Sequence, residues 1–164
     1  MKTIAAIAIA LCFLGLAVAA RGDGKPDGQL ATRKLVVVVA KGSSLTAISR
    51  TDLKRCFTGE RVVSDDRTLV PFNASPSSPD REAFDRAILG MSPDEVGRFW
   101  VDRKIRGQSG PPRSLPSPAY IAKVVAKFPG AIGYLPADQL TADVQPVAID
   151  GVPYTDARYP ISAK

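Results

Sequence analysis

The sequence predicts an α/β domain, a three-layer sandwich in which a mixed, mostly parallel sheet of about four or five strands carries helices on both faces. Two observations predict it. Continuous apolar runs rich in β-branched residues, such as Leu35 to Ala40, have the character of strands covered on both sides. Between such runs lie stretches with apolar residues at helical spacing, most of them introduced by serine followed by proline. Composition agrees: 164 residues with 45% hydrophobic, 23% charged and 7% aromatic side chains describe an ordinary globular chain, not a disordered or fibrous one.

The elements follow in order. Lys41-Gly42-Ser43-Ser44 ends the first strand as a polar turn. Ser49 caps a short helix containing Leu53, Cys56 and Phe57, and Gly59 ends it. Leu69 to Phe72 is a second strand, leading into the hydroxyl-rich loop Asn73 to Pro79. Ser78-Pro79 opens a helix with Ala83, Phe84, Ala87 and Ile88 on one stripe, and Gly90 stops it. Ser92-Pro93-Asp94-Glu95 repeats the device as a capping box, ahead of Val96, Phe99 and Trp100. Gly107 to Pro118 reads as a loop, after which Ser117-Pro118 starts a helix with Tyr120, Ile121, Val124, Val125 and Phe128 on one side. Ala131 to Leu135 and Val144 to Ile149 complete the strands.

Residues 1–20 read as an address. Lys2 supplies a positive start, Ile4 to Leu16 is apolar apart from Gly15, and Ala17-Val18-Ala19 offers the small residues of a cleavage site. Cleavage after Ala19 or after Ala20 fits equally, and the competing reading is a retained anchor. Leu11 before Cys12 argues against lipidation. Residues 21–33 read as a flexible leader and 34–164 as one domain, expected in the periplasm or secreted and not integral to the membrane once the signal is removed. With that segment gone Cys56 is the one remaining cysteine, best read as a buried small hydrophobe.

The sequence contains no histidine, which excludes Ser-His-Asp and Cys-His nucleophilic sites and His-bearing metal sites. No carboxylate pair stands out as an acid–base couple, so the expectation is a binding protein, not an enzyme, with no cofactor and no metal. The formal charge of +6 is spread along the chain and lacks aromatic interleaving. It suits anionic small molecules or a membrane surface, and not nucleic acid. In open α/β sheets the ligand lies outside the carboxyl ends of the strands. The loops there bring forward Ser43 and Ser44 after the first strand, and Asn73, Ser75, Ser77 and Ser78 with Arg81 after the second. Hydroxyls, free amides at a helix start and a guanidinium together compose an anion site. Asp80 and Glu82 compete for the same amides. Lys104, Arg106 and Arg113 read as a solvated charged face.

In this order the motifs become recognisable. Leu53-Lys54-Arg55-Cys56-Phe57-Thr58-Gly59-Glu60 is similar to the "L-x-x-I-F-x-G-K" segment of the phosphate-binding components of bacterial ABC transporters, the PstS-like periplasmic binding proteins of type 2. Pro129-Gly130-Ala131-Ile132-Gly133-Tyr134 resembles that family's "P-G-A-I-G-Y" strand, the most specific piece. Ile149-Asp150-Gly151-Val152 and Tyr159-Pro160-Ile161 are similar to the segment that returns the chain to the other lobe. The resemblance implies one lobe of a two-lobed receptor. It also implies recognition of a small oxyanion such as phosphate and an ABC permease or another envelope protein as partner. The family's Arg-x-Asp-Gly-Ser-Gly-Thr loop is replaced here by Phe72-Asn73-Ala74-Ser75-Pro76-Ser77-Ser78, which keeps hydroxyls and lacks the charged pair. The alternative is an accessory module that keeps the fold without tight ligand binding.

Overall fold

The computed structural model describes residues 33–64 and 66–163. The expected signal peptide and nearly all of the expected leader lie outside them; Arg33 is the first residue of β1 (Arg33–Ala40). Leu35, Val36, Val37 and Val38 are fully buried there, as a strand without polar alternation requires.

The main sheet has six strands. β1 runs antiparallel to β7 (Ala131–Pro136), from Leu35 opposite Pro136 to Val39 opposite Ile132. Its other edge carries β8 (Val144–Pro146) and β10 (Ser162–Ala163), both also antiparallel. On the far side of β7, β5 (Val70–Asn73) and then β6 (Arg113–Ser114) add in parallel. The expected mixed α/β sheet is present, with its parallel part at β7-β5-β6 and an antiparallel part around β1. Two short pairs complete the strands: β2 (Ala47–Ile48) parallel to β9 (Ala148–Ile149), and the hairpin β3 (Val63–Ser64) with β4 (Arg67–Thr68).

Four helices are capped as their sequences dictate. Ser49, Ser78, Ser92 and Ser117 each accept a backbone N–H three residues on, at the starts of α1 (Arg50–Phe57), α2 (Pro79–Phe84), α3 (Pro93–Ile105) and α4 (Pro118–Lys127). α2 passes into a π-helical turn, Asp85–Leu89, before Gly90 in the left-handed conformation ends it. Successive residues of β7 point to opposite faces. A Cβ on Gly133 would lie 2.8 Å from the Ile121 side chain, so α4 covers one face. The ring of Tyr134 stacks on Phe84 at 3.9 Å and lies beside Phe57 at 5.9 Å, so α1 and α2 cover the other.

One expected face needs correction. Ile121, Ala122 and Val125 form the buried stripe of α4, whereas Tyr120 and Phe128 are 54% and 58% exposed. Phe128 is the C-cap, with extended backbone, so helical periodicity no longer governs where it points.

Candidate functional site

The connections locate a crevice. β5 leads into α2 on the Tyr134 face, while its parallel neighbour β6 leads into α4 on the Gly133 face. Adjacent strands whose loops leave for opposite faces define a topological switch point, and the gap beyond their carboxyl ends is where such sheets place ligands.

The loop walls are tied down from below. Leu115 N–H donates to the Asn73 carbonyl at 2.8 Å, extending the β5–β6 ladder into the mouth of the crevice. The Tyr134 hydroxyl donates to Asn73 Oδ1 at 3.3 Å and accepts from Ala74 N–H at 3.2 Å. Burial pushes that phenol far above its ordinary value, so it stays protonated and able to donate. Asn73 is 1% exposed, and its carbonyl oxygen is turned inward to Tyr134. It shapes the loop. Ser78 N–H closes a turn onto the Ser75 carbonyl at 3.0 Å, and its Oγ accepts from Arg81 N–H at 3.1 Å. Ser77 is exposed and Ser75 half-buried, and among the described residues neither hydroxyl is engaged in a hydrogen bond.

Arg81 lies elsewhere than on an open wall. It is 7% exposed, and its Nε donates to Asp85 Oδ2 at 2.6 Å. The i,i+4 spacing across the entry to the π-turn brings the two together, so the positive charge is already matched. Asp85 is raised above the ordinary carboxylate range by burial, with Arg81 pulling it back. Asp80, beside it in the first turn, is also raised by burial, and its Oδ1 has no hydrogen-bond partner. Arg81, Asp85, Val96, Trp100, Pro76 and Ser114 meet around a cavity of about 230 Å³ between this helix, α3 and the β6 strand.

Ser43 and Ser44 are not brought to this crevice. β1 is antiparallel to β7 and β5 is parallel to it, so the carboxyl ends of β1 and β5 point to opposite ends of the sheet. In register, Asn73 lies level with Val37, about 10 Å along the sheet from Ala40 at roughly 3.3 Å per residue, and the two loops diverge from there. Lys104, Arg106 and Arg113 are exposed, and Arg106 pairs with Asp102, as expected of a solvated face. Cys56 is 1% exposed, and burial pushes its thiol up to about 12. Among the described residues no group of three or more metal-ligating side chains is placed to hold an ion. No helix there is long and apolar enough to cross a membrane.

Ser114, on β6 and lining the cavity beside Arg81, is the residue the sequence did not bring forward. β6 has two residues, too few to show a period, and sits inside a Gly/Pro-rich stretch. The repeat of the Ser-Pro device at Ser117 was the signal available: it matches Ser78-Pro79, and two such starts mark two helices leaving neighbouring strands.

No protein-family profile and no curated protein matches the chain. Solved structures do. A protein assigned as a phosphate ABC transporter substrate-binding protein from Clostridium perfringens, with phosphate bound, aligns with a TM-score of 0.65 at 18% identity, over 82% of this chain and 54% of its own. The fold matches a single lobe of that structure. An ABC-type phosphate transport receptor from Vibrio cholerae gives a TM-score of 0.65 at 16% identity, over 82% and 55%. PstS from Borrelia burgdorferi gives 0.61 at 12%, over 81% and 55%. The chain therefore spans about half the length of the solved structures it matches.

Proposed function

We propose that this lobe is an exported, non-catalytic solute-binding domain that recognises a small oxyanion such as phosphate in the β5–β6 crevice. The observation that carries the proposal is the pair of unengaged hydroxyls, Ser75 and Ser77, in the loop that runs from β5 to the serine-capped start of α2 at the switch point. Hydroxyls and backbone amides bind an oxyanion by donating to it, and an anion there is favoured by the helix start. The structural neighbours add that this fold, in a longer chain, holds phosphate. An ABC permease or another envelope protein is the partner that such a role requires.

The test is a phosphate titration to about 50 mM followed by amide chemical shifts, a range suited to affinity near millimolar. Shifts are expected at Ser75 to Ser78 and at Ser114 to Ser117, and Ser75→Ala with Ser77→Ala should remove them. A spectrum unmoved throughout would discard the reading.

A second reading has its own support. Arg81 is neutralised by Asp85, and Asp80 stands unpaired in the same helix start, an arrangement that disfavours anions. On that reading the lobe keeps the fold as an accessory module and docks a protein; a flat phosphate titration together with capture of a defined envelope partner would establish it.

A further inference from the structure

We infer that the pole opposite the crevice carries a second anion site, fitted to a small multivalent oxyanion, a condensed phosphate or a phosphate monoester. Three cations from separate elements, Lys41 just beyond β1, Arg67 on β4 and Lys127 at the end of α4, line one cavity of about 320 Å³. Among the described residues none of the three pairs with a carboxylate, although eight ion pairs form elsewhere, and no carboxylate lines the cavity. Asp143 lines the neighbouring groove with Lys41, Lys123 and Lys127 and forms no ion pair with them; Asp66, next to Arg67, forms none either.

The backbones that carry these side chains are fixed. Lys41 N–H donates to the Asp143 carbonyl at 2.9 Å and Gly42 N–H to Gln145 Oε1 at 3.2 Å. Gly130 has φ +82°, and the Thr68 carbonyl oxygen lies 2.6 Å from where its Cβ would stand. Val70 N–H closes the same contact onto the Gly130 carbonyl at 2.9 Å. The hairpin bearing Arg67 is thus seated on the turn that follows Lys127. The Ser43 hydroxyl accepts from Leu45 N–H at 3.3 Å, which leaves its own proton to donate into the cavity.

Charge and size set the ligand class. Exposed cations hold a singly charged ion weakly one at a time, whereas a ligand bearing two or three charges engages all of them. The cavity is roughly ten times a water's share of liquid volume, about 30 Å³, and takes more than one phosphoryl group. A free polyanion and a phosphate-bearing lipid headgroup present the same chemistry.

The experiment is calorimetric titration of the full chain with pyrophosphate at low salt, with parallel sedimentation on vesicles containing phosphatidic acid. Three proteins are compared: the native sequence, K41Q/R67Q/K127Q, and S75A/S77A. Binding of one or both probes should weaken at least about tenfold in the triple variant, fall with added salt and persist in S75A/S77A. Saturable pyrophosphate heat identifies a free polyanion as the source; vesicle binding alone identifies a headgroup. All three side chains are exposed, so the triple variant should melt with the native protein. Equal binding by the triple variant, or binding of neither probe by the native protein, overturns the site. Because the serine variant reports on the crevice alone, failure at one pole is distinguishable from failure at the other.

Discussion

Asp80 shows how the burial of one carboxyl ties stability to pH. It is 7% exposed, in the first turn of α2, and its Oδ1 has no partner. Burial raises its pKa against the pull of Arg33, with Asp138 adding to the rise. A carboxyl whose folded pKa exceeds its unfolded one binds more protons when folded, so stability falls as pH rises from about 4 through the folded pKa. Asp156 and Glu95 act in the opposite sense: both are lowered, Asp156 to about 2, by hydrogen bonds from Arg158 and Ser92 respectively, so their contribution is lost as the medium becomes acidic. Asp80→Asn should therefore raise unfolding free energy by about 1 kcal/mol at neutral pH and by almost nothing near pH 3, where Asp80 is protonated in both states. Urea melts at the two pH values measure this, and an equal gain at both would refute it. The same variant removes a negative charge from the crevice and should strengthen the phosphate response.

At the scale of elements, Gly133 is the point where the middle strand accepts a helix. An added Cβ would lie 2.8 Å from Ile121 Cγ2 and 3.2 Å from Val125 Cγ2, both on α4 and both fully buried. These neighbours are β-branched and have little freedom to yield. Gly133→Ala should destabilise by about 1–3 kcal/mol through overpacking, read as a lower urea midpoint with an unchanged slope. A neutral result would mean that α4 shifts freely on the sheet. Legibility divides along the same line between local and distant causes. The caps at Ser49, Ser78, Ser92 and Ser117 were readable because serine and its helix lie within four residues. β1 and β7 were readable from unbroken apolar runs. β6 was not, because what makes it a strand is the pairing of Phe72 with Arg113 and Asn73 with Ser114, residues far apart in sequence. The inward turn of Asn73 depends on Tyr134, 61 residues away in sequence, and no local pattern reveals the π-turn after Phe84. The hydroxyl-rich loop was visible as composition; that Arg81 is spent on Asp85 became visible only in three dimensions.

For the molecule as a whole, strand direction decides how many anion sites one sheet can build. With β1 reversed against β5, Ser43 and Ser75 serve opposite poles, and neither pole can borrow ligands from the other. The crevice must then act with what β5 and β6 supply. Two or three hydrogen bonds to a charged ligand gross about 3–9 kcal/mol, of which at least about 4 kcal/mol is lost in immobilising it. At most about 5 kcal/mol remains, which places phosphate affinity for a monomeric lobe near millimolar or weaker. Arg81 cannot raise that figure while Asp85 holds it at 2.6 Å. Tight binding therefore requires a second wall from another copy or from a partner protein. Calorimetry paired with light scattering on one sample separates the cases: millimolar affinity is expected at monomeric mass, and micromolar affinity only where the mass has risen. Micromolar affinity at monomeric mass would refute this and show that one lobe suffices.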